Sequence, residues 1–111
     1  VPLCPTADDI AWLERAIDKL NEGLPPLRSF VLPGGGLLNG FLHQARAVCR
    51  RAERVAVSLS VVESLPMQSL PFLNRLSDLL FVLSRWTAAY LQEPEWLWEP
   101  GLTLDDSWQT W

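Results

Sequence analysis

The residues best placed to do chemistry are guanidiniums. In the segment His43-Gln-Ala-Arg-Ala-Val-Cys-Arg-Arg-Ala-Glu-Arg54, Arg46, Arg50, Glu53 and Arg54 recur at three- and four-residue spacing. At about 100° per residue they fall within roughly one quarter of a helix circumference. Forked, permanently charged donors around a single carboxylate suit the grip of a polyphosphate, and the carboxylate holds them in place when no ligand is bound. A second set, Asn74-Arg-Leu-Ser-Asp78, places an amide and a carboxylate one helical turn apart. A third, Phe30-Val-Leu-Pro-Gly-Gly-Gly36, leads into the guanidinium segment.

Each set also has a plainer reading. An Arg/Glu stripe is usually a solvated ion-pair face, and Asn74 and Asp78 could cap or pair within a bundle. A Phe before Leu-Pro-Gly is often a core anchor. Three glycines with no following Lys-Ser/Thr do not make a phosphate loop. His43 is the chain's single histidine, and no second ligand at metal spacing accompanies it, so no metal site is expected.

The elements that must position these groups are helices. Thr6-Ala-Asp-Asp9 has the form of a capping box with Asp in place of Glu. Ile10, Leu13, Ile17 and Leu20 follow at helical spacing, and Gly23 is expected to close a first helix over residues 7–22. Pro25-Pro26 forbids its continuation. The aperiodic stretch from Leu27 to Gly36 reads as an ordered connection. A long helix over residues 37–63 is two-faced, with Leu38, Phe41, Leu42, Ala45, Val48, Cys49, Ala52, Val55, Ala56 and Leu59 on one side. Asn39, His43, Arg46, Arg50 and Arg54 lie opposite. After Leu65-Pro66 a third helix spans residues 69–91, with Leu73, Leu76, Leu80, Leu83 and Trp86 facing a core. Asn74, Asp78, Phe81 and Arg85 share another of its faces. No strand alternation is visible, so the fold class is all-α, an up-down helical bundle over residues 1–91. Residues 92–111 form an acidic tail holding Trp96, Trp98, Trp108 and Trp111 of the six tryptophans.

Composition limits the function classes. The 111 residues are 49% hydrophobic and 20% charged, within the range of one domain with an ordinary core. A net charge of −4 repels nucleic acid and anionic membranes, so an anion site must be a local cluster. The longest apolar runs, residues 55–62 and 79–83, are far short of the ~20 residues a bilayer needs. Two cysteines, Cys4 and Cys49, read as plain thiols of a reducing compartment, and a cytoplasmic protein is expected.

The three ordered motifs resemble the ATP:cob(I)alamin adenosyltransferases of the trimeric, helix-bundle class. The resemblance covers residues 8–101, including Leu97-Trp-Glu-Pro-Gly101 near the end. It implies transfer of the 5'-deoxyadenosyl group of ATP, supplied with Mg²⁺, to the cobalt of cob(I)alamin or a related corrinoid. Cobalt is then the nucleophile, and no side chain need attack. By the same resemblance Arg50, Arg51, Glu53, Arg54 and Asn74 are ATP-binding, Arg50 and Arg54 on phosphate and Glu53 orienting them or Mg²⁺. Arg46 is site-organising through a subunit-interface salt bridge, and Asp78 is the partner of a nearby arginine. Phe30 stands beneath the corrin ring and excludes a lower axial ligand, which lowers the cobalt acceptor orbital and eases reduction.

The resemblance implies a homotrimer, with a reductase or an adenosylcobalamin-dependent enzyme as a further partner. It places these three helices as the C-terminal part of a five-helix ferritin-like bundle, because residues 1–30 lack the family's Thr-Gly-Asp-x-Gly-type ATP loop and two helices. A non-catalytic corrinoid- or nucleotide-binding or assembly module is the alternative.

Overall fold

A computed structural model describes residues 4–26 and 36–92; Phe30 and the tryptophan-rich tail lie outside the described residues. Three helices follow one another, α1 (Ala7–Asn21), α2 (Leu37–Ser60) and α3 (Ser69–Tyr90). No strand occurs among the described residues, as the all-α reading requires.

Local chemistry sets each helix end. The Thr6 amide donates to Asp9 Oδ2 at 2.9 Å and the Asp9 amide to Thr6 Oγ1 at 3.2 Å, so the capping box forms with Asp as its acid. At the other end Gly23 does not supply the expected left-handed cap. The chain leaves α1 through right-handed Glu22 (φ −54°), turns through a Leu24 amide to Asn21 carbonyl bond of 3.0 Å, and is stopped by Pro25-Pro26. The second helix ends three residues earlier than its periodicity suggests. The Val62 and Glu63 amides both turn back to the Leu59 carbonyl, at 3.0 and 2.9 Å, which tightens the chain ahead of Pro66. The third helix gives way at Leu91, and Gln92 takes a left-handed conformation with φ 57°.

Helix directions alternate up, down, up. Arg46 lies over Phe81 while Glu53 meets Asn74, so α2 and α3 run antiparallel. Glu14 meets Arg75, and Leu20 and Leu24 share a hollow with Trp86 and Tyr90, so α1 runs parallel to α3. The backbones of α1 and α2 do not approach closely, and α3 packs on both. These three helices therefore form a layer with α3 in the middle. Burial follows from that position. Seven residues of α3 are buried (Ser77, Leu79, Val82, Ser84, Arg85, Thr87 and Ala88), against one of α1 and two of α2. Small side chains on a helix with neighbours on two flanks permit close approach on both. Ser84 satisfies its hydroxyl by donating to the Phe81 carbonyl at 2.6 Å.

The two faces expected of α2 are corrected by this packing. The seam against α3 lies at the border between apolar and polar sides, with Asn39 and Cys49 buried and Leu42, His43, Arg46, Glu53 and Ala56 half-buried. Most of the apolar side faces outward: Phe41, Val48 and Val55 are 59%, 62% and 61% exposed. The physical reason is width, since an apolar face this broad exceeds what one neighbouring helix can cover. A groove of about 610 Å³ runs beside it, lined by Phe41, Val48, Cys49, Ala52, Leu73 and Leu76 among others. The leucines of α3 expected in the core are accordingly half-buried. Trp86 is 39% exposed and stacks on Tyr90, with ring centroids 5.0 Å apart.

Candidate functional site

A polar relay crosses all three helices where α2 and α3 meet. Asn74 on α3 donates from Nδ2 to Glu53 Oε1 on α2 at 3.4 Å. Its own Oδ1 accepts from a guanidinium nitrogen of Arg75 at 2.6 Å. Arg75 in turn donates from Nε to Glu14 Oε1 on α1 at 3.1 Å. The carboxylate of Glu53 is thus tied to the third helix while sitting between Arg50 and Arg54 on its own helix.

Arg50, Arg51 and Arg54 are exposed. They make a cationic edge along α2, open to a ligand or to another chain. Exposed guanidiniums at one- to four-residue spacing repel one another, and Glu53 in their midst offsets part of that repulsion. An anion with several oxygens can take the place of water on these donors without a change of backbone.

Arg46 has a different environment. It is half-buried, its guanidinium carbon 4.9 Å from the Phe81 ring centroid. Burial, then repulsion from Arg50, makes its proton easier to lose, and Asp78 opposes both. Its Nε is buried without a hydrogen-bond partner, and so are His43 Nε2 and Asn39 Oδ1 on the preceding turns of the same helix. His43 is held toward its neutral form by burial first and by the Arg46 charge second.

The structure brings Glu53 and Asn74 together and puts Asp78 within electrostatic reach of Arg46. Asp78 also borders a hollow with Glu14, Asp18 and Arg75. Phe30 lies outside the described residues. Sequence reasoning missed Arg75 and Glu14. Arg75 stood inside the quoted Asn74–Asp78 motif, but Glu14 lies 61 residues away and carries no local signal. Phe81 as the platform under Arg46 was partly legible, because it shares a face with Asn74 at heptad spacing.

The thiol of Cys49 is no nucleophile here. It donates to the Leu73 carbonyl at 3.4 Å, and burial, then the Glu53 charge, pushes its ionisation up. Among the described residues no three His, Cys, Asp or Glu side chains cluster as metal ligands. The arrangement suits binding and charge stabilisation.

Comparison with known proteins shows the family to which this chain belongs. The family model for cobalamin adenosyltransferase matches residues 2–87. The corrinoid adenosyltransferase MMAB of Bos taurus is 49% identical over 89 residues, which cover 80% of this chain and 37% of that protein. The corrinoid adenosyltransferase of Mycobacterium tuberculosis is 50% identical over 102 residues, covering 90% of this chain and 51% of that one. A solved structure of a variant PduO-type ATP:corrinoid adenosyltransferase from Lactobacillus reuteri, complexed with cobalamin and ATP, superposes with a TM-score of 0.80. It is 36% identical and covers 88% of this chain and 54% of its own. The chain spans about half the length, or less, of the curated relatives it matches. With a family match over most of its length and half of its aligned residues identical to named relatives, the chain belongs to the cobalamin adenosyltransferase family.

Proposed function

We propose that this chain serves ATP:corrinoid adenosyl transfer, in which the 5'-deoxyadenosyl group of ATP passes to the cobalt of a reduced corrinoid and triphosphate leaves. The observation that carries the reading is the exposed Arg50 and Arg54 edge, set around a Glu53 that is tied to Asn74. Arg50 and Arg54 bind the phosphates and stabilise the negative charge that grows on the departing triphosphate. Glu53 orients them or the Mg²⁺ that arrives with ATP, Asn74 donates to the nucleotide, and Arg51 lies at the margin of the site. Phe30 lines the corrinoid side. Arg46 and Asp78 organise the site. Cobalt is the attacking atom, which accords with a site whose thiol is held toward its un-ionised form by burial.

The ligands named for the Lactobacillus reuteri neighbour, cobalamin and ATP, support the substrate assignment. The apolar face left open on α2, beside the unshared arginine edge, supports a site completed between copies in a homotrimer. Two free cysteines, one of them exposed, support a cytoplasmic setting. Residues 1–91 carry the helical portion and 92–111 a separate acidic tail.

Calorimetric titration with MgATP, repeated for Arg50→Ala, tests the nucleotide assignment. Saturable heat that the substitution largely removes is the expected result. Negligible heats in both proteins would overturn it. The alternative reading is a module that binds nucleotide or corrinoid without turnover. MgATP binding with no conversion of cob(I)alamin to the adenosylated form would select it.

A further inference from the structure

We propose that Arg75, itself held by Glu14, is a positioning residue that fixes which end of the Asn74 carboxamide faces the nucleotide; this rests on the nucleotide reading given above. The two ends of an asparagine side chain are opposite in chemistry, an oxygen that only accepts and a nitrogen that only donates. A guanidinium has five donors and no acceptor. The atom of Asn74 lying 2.6 Å from Arg75 must therefore be Oδ1, and Nδ2 is turned toward α2, where it meets Glu53. The short bond to a charged donor is the stronger of the two, and the 3.4 Å contact to Glu53 is near the outer limit.

The amide thus offers hydrogen-bond donors, and not its oxygen, to the side where Arg50 and Arg54 stand. That is the polarity an acceptor-rich ligand needs, whether the atom is a phosphate or a ribose oxygen. The long contact to Glu53 is readily exchanged for such an atom. Without Arg75 the carboxamide can rotate and present Oδ1, which repels the same ligand.

Glu14 supplies the reason Arg75 stays in place. Its ion pair is 3.1 Å long, yet Arg75 is 39% and Glu14 50% exposed. An exposed pair of this kind contributes little to stability. Its removal should therefore alter ligand affinity more than the melting temperature, which separates positioning from simple scaffolding.

The test is MgATP affinity and thermal midpoint for the chain and for Asn74→Ala, Arg75→Ala, Arg75→Lys, Glu14→Gln and the Arg75→Ala/Asn74→Ala double variant. Arg75→Ala should weaken binding about five- to tenfold, the range expected for the loss of one ordinary hydrogen bond from Asn74 to the ligand. Arg75→Lys should recover part of that loss, and Glu14→Gln should weaken binding about twofold. The double variant should bind no worse than Asn74→Ala, and the midpoints should stay close to that of the parent. Wild-type affinity in Arg75→Ala, alongside a weakened Asn74→Ala, would overturn the positioning role and leave the nucleotide reading standing. Additive losses in the double variant would overturn it as well. Unchanged affinity in Asn74→Ala, or no binding by the parent chain, would overturn the nucleotide reading and this inference with it.

Discussion

In the α2–α3 seam the Arg46 guanidinium lies over the Phe81 ring, its carbon 4.9 Å from the ring centroid and its Nε buried without an acceptor. A cation over a ring face gains about 0.5–2 kcal/mol. A buried donor left unpaired loses about 1–3 kcal/mol. The two effects nearly cancel, so the pair is poorly explained by the stability of this chain alone. It is better explained by an acceptor arriving from elsewhere, as the site-organising role proposed for Arg46 requires.

Substitution at this pair should separate the two contributions. Arg46→Leu should leave the urea midpoint nearly unchanged, within about 1 kcal/mol, because it removes the ring contact and the unpaired donor together. Phe81→Ala should lower stability by about 2 kcal/mol through the lost apolar volume. A large loss in Arg46→Leu would mean that the guanidinium has a partner in the folded chain.

The α1 capping box should be measurable on its own. Thr6→Ala removes the acceptor of the Asp9 amide and should cost about 1 kcal/mol. Asp9→Ala removes the reciprocal bond to the Thr6 amide, and the double variant should lose less than the sum because the two bonds form one box. Chemical denaturation of the three variants checks this.

His43 should make the fold sensitive to mild acid. Burial and Arg46 lower the folded imidazole's proton affinity, so the unfolded chain binds the proton more readily. Its contribution to stability is complete above about pH 6.5 and is lost as the pH falls toward the lowered folded value. Urea midpoints measured from pH 7.5 down to 5 should decline, and His43→Gln should flatten that part of the curve. An identical slope in the variant would assign the decline to carboxylates.

The open side of α2 should tolerate charge. Val48 and Val55 are more than half exposed, so Val48→Lys with Val55→Lys should change monomer stability by no more than about 0.5 kcal/mol per site. Light scattering at rising concentration should show less self-association than the parent, since the contiguous apolar patch is broken. Unchanged association would place the contact between copies on another surface.

Sequence alone determined the three helices and their ends to within a few residues, because caps, prolines and apolar periodicity act over one or two turns. Thr6, Pro25-Pro26 and Pro66 are such signals, and the helices Ala7–Asn21, Leu37–Ser60 and Ser69–Tyr90 follow from them. The motif residues also declared their chemistry, since Arg50, Glu53 and Arg54 share a face of any helix that contains them.

Only the tertiary structure decided which edge of α2 meets α3, that α3 lies between the other two helices, and that Glu14 reaches Arg75. Periodicity states that a face is apolar without naming the neighbour that covers it, and a broad face can be covered in more than one way. The Glu14–Arg75 contact spans 61 residues and exists only because α1 runs parallel to α3. Such a pairing depends on the packing of whole helices, and no short stretch of chain encodes it.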